Sequence, residues 1–308
     1  MKQKAFTLVE VIITIVILGI LSAGTFVSLK HLYIRVAKSK ALSNLSSDSQ
    51  IVVDQISSLL YDRVPSSTIG YKSDGTFDTI YNLGSSYSVI EWIAVANEAQ
   101  KAGYYSGFVD LNKSDKNTKT IFSPHINISE LNNVMANKFS KSSSDLALIF
   151  AGSFDDGSLV LSNDFNSSFG WHGNLYNQIE TNLTINNNNI ILNITPDEIY
   201  EKYYLVDSAY AIARGADIDL NASCINDLNK SDNNTLFLFY NYRPWQGKTF
   251  CADPNGSNQD GNVTVLTYNA KGFQASLVNN SLRFSLTLQK HIRGSENNVT
   301  ISKQKVVF

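Results

Sequence analysis

The stretch Lys4-Ala5-Phe6-Thr7-Leu8-Val9-Glu10-Val11-Ile12-Ile13-Thr14-Ile15-Val16-Ile17-Leu18-Gly19-Ile20-Leu21 decides how the rest of the chain is read. It opens a run from Phe6 to Leu29 in which Glu10 is the only charged residue. As a helix that run reaches about 36 Å, enough to cross a bilayer. Ahead of it stands the short positive leader Met1-Lys2-Gln3-Lys4-Ala5. Two readings meet here. As a secretory signal peptide, Lys2 and Lys4 form the charged region, the apolar run the hydrophobic region, and Ser22, Ala23 and Gly24 the cleavage neighbourhood. Against that stands Glu10, because a carboxylate in hydrocarbon costs around 3 kcal/mol on insertion scales and a discarded segment has no use for one.

Outward from this run, Lys30 to Arg63 contain neither Gly nor Pro, and apolar residues recur at Leu42, Leu45, Val52, Ile56 and Leu59. Spacings of three, four and seven make a helical stripe, with Lys38, Lys40, Ser47, Asp54 and Asp62 on the opposite face. The spacing predicts an amphipathic helix continuous with the apolar one and ending before Pro65. From Phe6 to Asp62 the rod is on the order of 85 Å long.

These residues resemble the N-terminus of the type IV pilin and type II secretion pseudopilin superfamily, through Lys4-Ala5-Phe6-Thr7-Leu8-Val9-Glu10-Val11, Ile12 to Leu18 and Gly19-Ile20-Leu21. The resemblance implies a cut between Ala5 and Phe6 by prepilin peptidase, methylation of the new amine, and assembly roles for Glu10 and Gly19. It also implies a single-pass inner-membrane protein with a periplasmic C-terminal domain, which an assembly platform later transfers with other pilins into a pilus or pseudopilus. Ala5 stands where the family most often has Gly, and no Pro follows Gly19 where major pilins usually carry one. The second departure points to a minor subunit. Lys30, Arg35, Lys38 and Lys40 outnumber Lys2 and Lys4, against the positive-inside rule. The leader motif and the cysteine pair nonetheless place the C-terminal domain outside.

The glutamate also has a reason of its own. Cleavage before Phe6 creates an α-amine that is protonated at neutral pH and keeps its charge when methylated. A protomer displaced along the helix would bring its amine to Glu10, so that each charge offsets the other's desolvation.

The expected fold class is α+β: a long N-terminal helix, transmembrane and then amphipathic, packed on a C-terminal antiparallel sheet. The divisions are 1–5 (leader), 6–29 (apolar half-helix), 30–63 (amphipathic half-helix), 65–200 (an inserted α/β region) and 201–308 (the β region). In the inserted region Thr76–Leu83, Gly103–Leu111, Leu146–Ala151 and Leu159–Leu161 read as strands, and Val89–Ala102 and Asn132–Phe139 as helices. Asn112–Lys119 reads as a loop and Asn186–Asn189 as a hairpin tip. Tyr203–Ile212, Thr235–Tyr242, Val263–Tyr268, Gly272–Val278, Ser281–Leu288 and Val299–Phe308 have strand composition, with a hairpin at Asn279-Asn280. The tail from Val263 looks similar to the J-type pseudopilins.

The chain is 43% hydrophobic and 17% charged, which suffices for a packed core, and its net charge of -2 gives no broad attraction for nucleic acid. Cys224 and Cys251 read as one disulfide, worth roughly 3 kcal/mol for a loop of about 28 residues, or as two separate buried thiols. His31, His125, His172 and His291 have no partners at zinc spacing, and no serine elbow, phosphate loop or dinucleotide fingerprint occurs. No enzyme and no cofactor is expected. Asp217, Asp219 and Asn221, and Asp253, Asn255, Ser257 and Asp260, alternate as calcium ligands do, although neither set completes a binding loop and solvated turns explain both.

The asparagines carry a further pattern. Thirteen Asn-x-Ser/Thr triplets occur, and in seven an acid stands two residues earlier without an intervening Pro: at Asn112, Asn166, Asn182, Asn221, Asn229, Asn262 and Asn298. Chance predicts about one or two. The pattern is similar to the extended acceptor sequon of bacterial oligosaccharyltransferases; an Asn-rich composition is the alternative. The function read from the whole is a structural subunit of a type II secretion pseudopilus or type IV pilus. A displayed adhesin or DNA-uptake module, using the aromatic run Tyr240–Trp245, is the second reading, and a signal-anchored protein unrelated to pilins the third.

Overall fold

Helix α1 runs unbroken from Leu8 to Tyr61, 54 residues and about 81 Å. The computed structural model describes residues 7–71, 76–79, 86–154, 168–173, 179–226, 228, 232–278 and 281–307. From Leu8 to Lys40 no residue of α1 is buried. Beyond that point the helix sinks Ala41, Leu45, Ser49, Val52, Val53, Ile56 and Leu60 into the globular domain. The stripe is thus rotated from the one expected: Leu42 is 49% exposed and Leu59 only half-buried, while the smaller Ala41 and Ser49 face inward. Small residues there let the helix approach the sheet beneath it closely, and Lys303 reaches across to the Ser46 carbonyl and the Gln50 side chain. The helix stops at Asp62, and Pro65 starts a short 3-10 turn three residues later.

That stripe rests on a meander of β13 (Ala270–Val278), β14 (Ser281–Lys290) and β15 (Val299–Val307). Its arms alternate as the sequence predicts: Phe273 and Ala275 point inward on one, and Leu282, Phe284, Leu286 and Leu288 on the next. Val278 pairs with Ser281 across the expected hairpin, whose tip lies outside the described residues.

Beneath the meander lies a larger antiparallel sheet. It is built from β1 (Ile69–Tyr71), β2 (Phe77–Thr79), β3 (Val89–Val95), β8 (Tyr203–Arg214), β9 (Leu236–Tyr242) and β12 (Asn262–Thr267), in the order β12-β9-β8-β3-β1-β2. β5 (Ala147–Phe150) joins at the start of β8, where Val206 pairs with Val95 on one side and Ala147 on the other. Strands from both sides of residue 200 therefore share one core. Each central strand is buried on both faces. Leu236 and Leu238 of β9 face the meander and α1, whereas Phe237 and Phe239 face a second core. Loops cover that second core, and the Cys224–Cys251 disulfide, with Cα atoms 6.5 Å apart, ties two of them together. The two cysteines are therefore one bridge rather than independent thiols.

Three expectations need correction. Val89–Ala102 is a strand, β3, followed by the short helix α2 (Asn97–Lys101); buried on both faces, β3 lacks the alternation that marks a strand, so periodicity misreads it. Gly103–Leu111 forms no ladder beyond an isolated bridge between Phe108 and Lys202, because Gly103 and Gly107 sit at positive φ and bend the segment. The helix expected at Asn132 begins a turn earlier, as α3 (Ile128–Phe139), because Asn127 caps it by accepting from the Glu130 N–H. Asn187 and Asn188 form the expected tip between β6 (Thr184–Asn186) and β7 (Asn189–Ile191), which pairs with β4 (Thr120–Phe122). Thr76–Leu83 is a strand only over β2, its last four residues lying outside the described residues together with Leu159–Leu161.

Candidate assembly site

The start of α1 is closed by a reciprocal cap. The Glu10 N–H donates to the Thr7 hydroxyl at 3.3 Å, while the Thr7 N–H and hydroxyl each donate to Glu10 Oε2 at 2.9 Å. Two of the backbone donors a helix start leaves open are thereby met, and the carboxylate is folded back toward the N-terminus. It sits on a bare apolar rod: Leu8, Val9, Val11, Ile12 and Ile13 are all exposed, and nothing lies within 4 Å of where a Cβ on Gly19 would stand. Among the described residues α1 is the one helix long and apolar enough to cross a membrane. Ala5 and Phe6 lie outside the described residues.

Residues 1–26 match the prokaryotic N-terminal methylation motif. This motif supports a place for the chain in the type IV pilin and pseudopilin family. No curated protein and no solved structure matches it. The motif implies processing by prepilin peptidase and assembly with other pilins, and with the apolar helix it indicates membrane anchoring. The motif suggests a structural subunit.

The globular domain also holds a buried polar cluster that its sequence does not announce. Trp171 and His172 lie on a short segment pressed against the second core. Gly170, at φ +79°, lets this segment pass Pro244, whose carbonyl oxygen would be 2.7 Å from a Cβ there. Trp171 Nε1 donates to the Ser67 carbonyl at 3.1 Å. The His172 ring, 12% exposed, stands between two carboxylates: Nε2 is 3.2 Å from Glu91 Oε1, and Nδ1 is 3.4 Å from Asp253 Oδ2. The second contact is electrostatic rather than an aligned hydrogen bond, since Asp253 Oδ2 lacks such a partner. The Tyr242 hydroxyl donates to Glu91 Oε2 at 2.5 Å, and the Tyr71 hydroxyl contacts the His172 ring. Burial pushes the Glu91 carboxyl well above its usual range, the Asp253 charge adds to this, and Tyr242 pulls it back. The cluster is closed in, and it joins β3, β9 and β1 to the loop that follows Cys251. Residues 71, 91, 172, 242 and 253 share no spacing, so no motif signals it.

A second buried charge joins α3 to β8. Lys138 Nζ lies 3.0 Å from Asp207 Oδ2 and 3.6 Å from Glu98 Oε2. Burial pushes the Asp207 carboxyl up to about 6, although Lys138 and Arg243 draw it down. Burial alone would lower Lys138, but Asp207, Tyr210 and Glu98 more than offset it. A carboxyl whose pKa is raised by folding holds its proton more tightly in the folded state. Its contribution to stability is therefore present below about pH 4 and is lost as pH rises through about 6. Asp207→Asn is expected to flatten the fall in unfolding free energy across that window, read from urea titrations at several pH values. A slope identical to that of the unaltered protein contradicts this.

The other candidates fall in varied places. The aromatic run Tyr240–Trp245 is core rather than surface: Tyr242, Arg243 and Trp245 are buried, and Arg243 lies 5.7 Å above the Phe139 ring. Asp253 is turned inward to His172, and its other oxygen accepts the Asn255 N–H at 3.0 Å. Asp260 accepts the Gly261 N–H, Asp217 pairs with Arg214, and Asp219 accepts the Asn221 N–H. Among the described residues no three His, Cys, Asp or Glu side chains are placed to hold a metal ion. Asn112, Asn182, Asn221, Asn262 and Asn298 are all exposed, while Asn166 and Asn229 lie outside the described residues.

Proposed function

We propose that this pilin is a minor structural subunit of a type II secretion pseudopilus or type IV pilus, held in the inner membrane by the first half of α1 with its globular domain in the periplasm. The observation that carries the reading is the division of one continuous helix. None of residues 8–40 is buried, whereas the stretch 41–60 sinks one face into the domain. A rod on the order of 50 Å long, apolar as far as Leu29 and left without a buried residue, needs either lipid or other helices around its apolar part. Lipid serves before assembly and a helical bundle afterwards. Gly24 and Ser28, four residues apart, leave a shallow groove on the rod with Ile20, Leu21, Thr25 and Leu29, the kind of surface on which helices approach closely in membranes. The adhesin reading loses its motivating feature, since the aromatic run offered for it is buried.

Shearing filaments from cells that carry a tagged copy tests the proposal. The tagged chain is expected in the sheared fraction and absent from it when the assembly ATPase is deleted. Retention of all tagged chain in the membrane of cells that make filaments contradicts it.

A further inference from the structure

We propose that Asn221 and Asn298 carry N-linked glycans, an inference that rests on the export of the globular domain argued above. Thirteen Asn-x-Ser/Thr triplets are present, and exposure of the asparagine does not discriminate among them, because all five acid-preceded ones in described residues are exposed. The acids have one ordinary explanation. Asp110 and Asp219 each accept the N–H of the asparagine two residues on, at 3.1 and 2.9 Å, closing a local turn. The same turn occurs at Asp115 with Asn117 and at Asp232 with Asn234, neither of which begins a triplet. A glutamate side chain is too long for that turn, so Glu180 and Glu296 lie outside this explanation.

Accessibility of all three recognition groups then sorts the sites. At Asn221 the acid Asp219, the asparagine and the Ser223 hydroxyl are all exposed on one turn. At Asn298, Glu296 and Asn298 are exposed on the turn before β15 and Thr300 is exposed at the start of that strand; the Asn298 amide oxygen has an exposed contact to His291 Nδ1 at 2.9 Å, and the Thr300 hydroxyl accepts one exposed contact, from Gln289 Nε2 at 3.3 Å. The others each hide a group. Glu180, before Asn182, has a buried carboxylate oxygen. Ser114, after Asn112, has its hydroxyl committed to the Asp110 carbonyl at 2.7 Å and the Phe122 N–H at 2.9 Å. Asn262 is fixed in β12 opposite Tyr240, with Asp260 half-buried.

The donor is a lipid-diphosphate-linked oligosaccharide. A bond forms between the asparagine amide nitrogen and the anomeric carbon, the carbon–oxygen bond to the diphosphate breaks, and the lipid diphosphate departs with the bonding pair and takes up the amide proton. Each site then bears a bulky, solubilising group on a loop.

Mass spectrometry of proteolytic peptides from the native protein, purified from the membranes of the organism that encodes it, tests this. Peptides containing Asn221 and Asn298 are expected to carry hexose- or N-acetylhexosamine-containing increments, and those containing Asn112 and Asn182 to be bare. Asn221→Gln and Asn298→Gln should each remove one glycan mass from the intact protein. Bare Asn221 and Asn298 overturn the inference, as do glycans confined to Asn112 and Asn182. The N-terminal peptide of the same digest separates the two proposals: if it begins at methylated Phe6 while both sites are bare, only the glycan inference fails.

Discussion

Glu10→Ala is expected to be made, inserted and cleaved normally, yet to enter filaments far less than the unaltered subunit, by on the order of a hundredfold. The carboxylate lies on an otherwise apolar segment, and among the described residues its side chain is met by the Thr7 N–H and hydroxyl, each at 2.9 Å. Those bonds stabilise the helix start but bring no counter-charge to the carboxylate. A neighbour's protonated amine supplies one, and removing one member of a desolvated pair typically costs 3–5 kcal/mol, about the effect expected here. Glu10→Gln separates the two roles, since glutamine can still serve the cap but carries no charge. Comparing filament and membrane pools by immunoblot, both variants should fail to assemble. Normal assembly of Glu10→Gln would reduce the residue to a helix cap, and normal assembly of Glu10→Ala would remove it from the mechanism.

The second large effect is on stability. His172→Ala is expected to lower the unfolding free energy by about 3 kcal/mol, or roughly 8 °C in melting temperature. The substitution leaves Glu91 and Asp253, both almost fully buried, without the ring that stands between them. It also opens a void beside Phe77, whose ring centroid lies 4.4 Å from that of His172. Glu91→Gln should cost about 1 kcal/mol or less, because burial already disfavours the charged form and glutamine retains an oxygen to accept from Tyr242. Thermal melts of the detergent-solubilised protein decide between these, and a His172→Ala melt matching the unaltered protein shows that the cluster adds no stability.

What the sequence discloses follows from how local each signal is. The helix rod is legible because the single charge of its apolar half and the absence of Gly and Pro from Lys30 to Arg63 both lie within the segments they govern. The phase of its buried stripe is less so: Leu42 and Ala41 differ by 100° on the helix, and only the shape of the sheet below decides which turns inward. β3 is misread because a strand covered on both faces has no polar side to report. The meander is legible because it is covered on one. The His172 cluster draws one residue from each of several distant segments, so its members look like unrelated polar residues until the fold assembles them. The acceptor triplets are visible in the sequence, but whether Asp219 faces solvent or Glu180 faces the core is a property of packing alone.

In the mature protein α1 is expected to be retained, headed by a new amine one turn from Glu10. Mass spectrometry of the N-terminal peptide of the mature protein tests it most directly. A peptide starting at N-methylated Phe6 is the predicted result. One starting near Thr25 would show that the apolar rod had been discarded as a signal peptide, and would contradict the account.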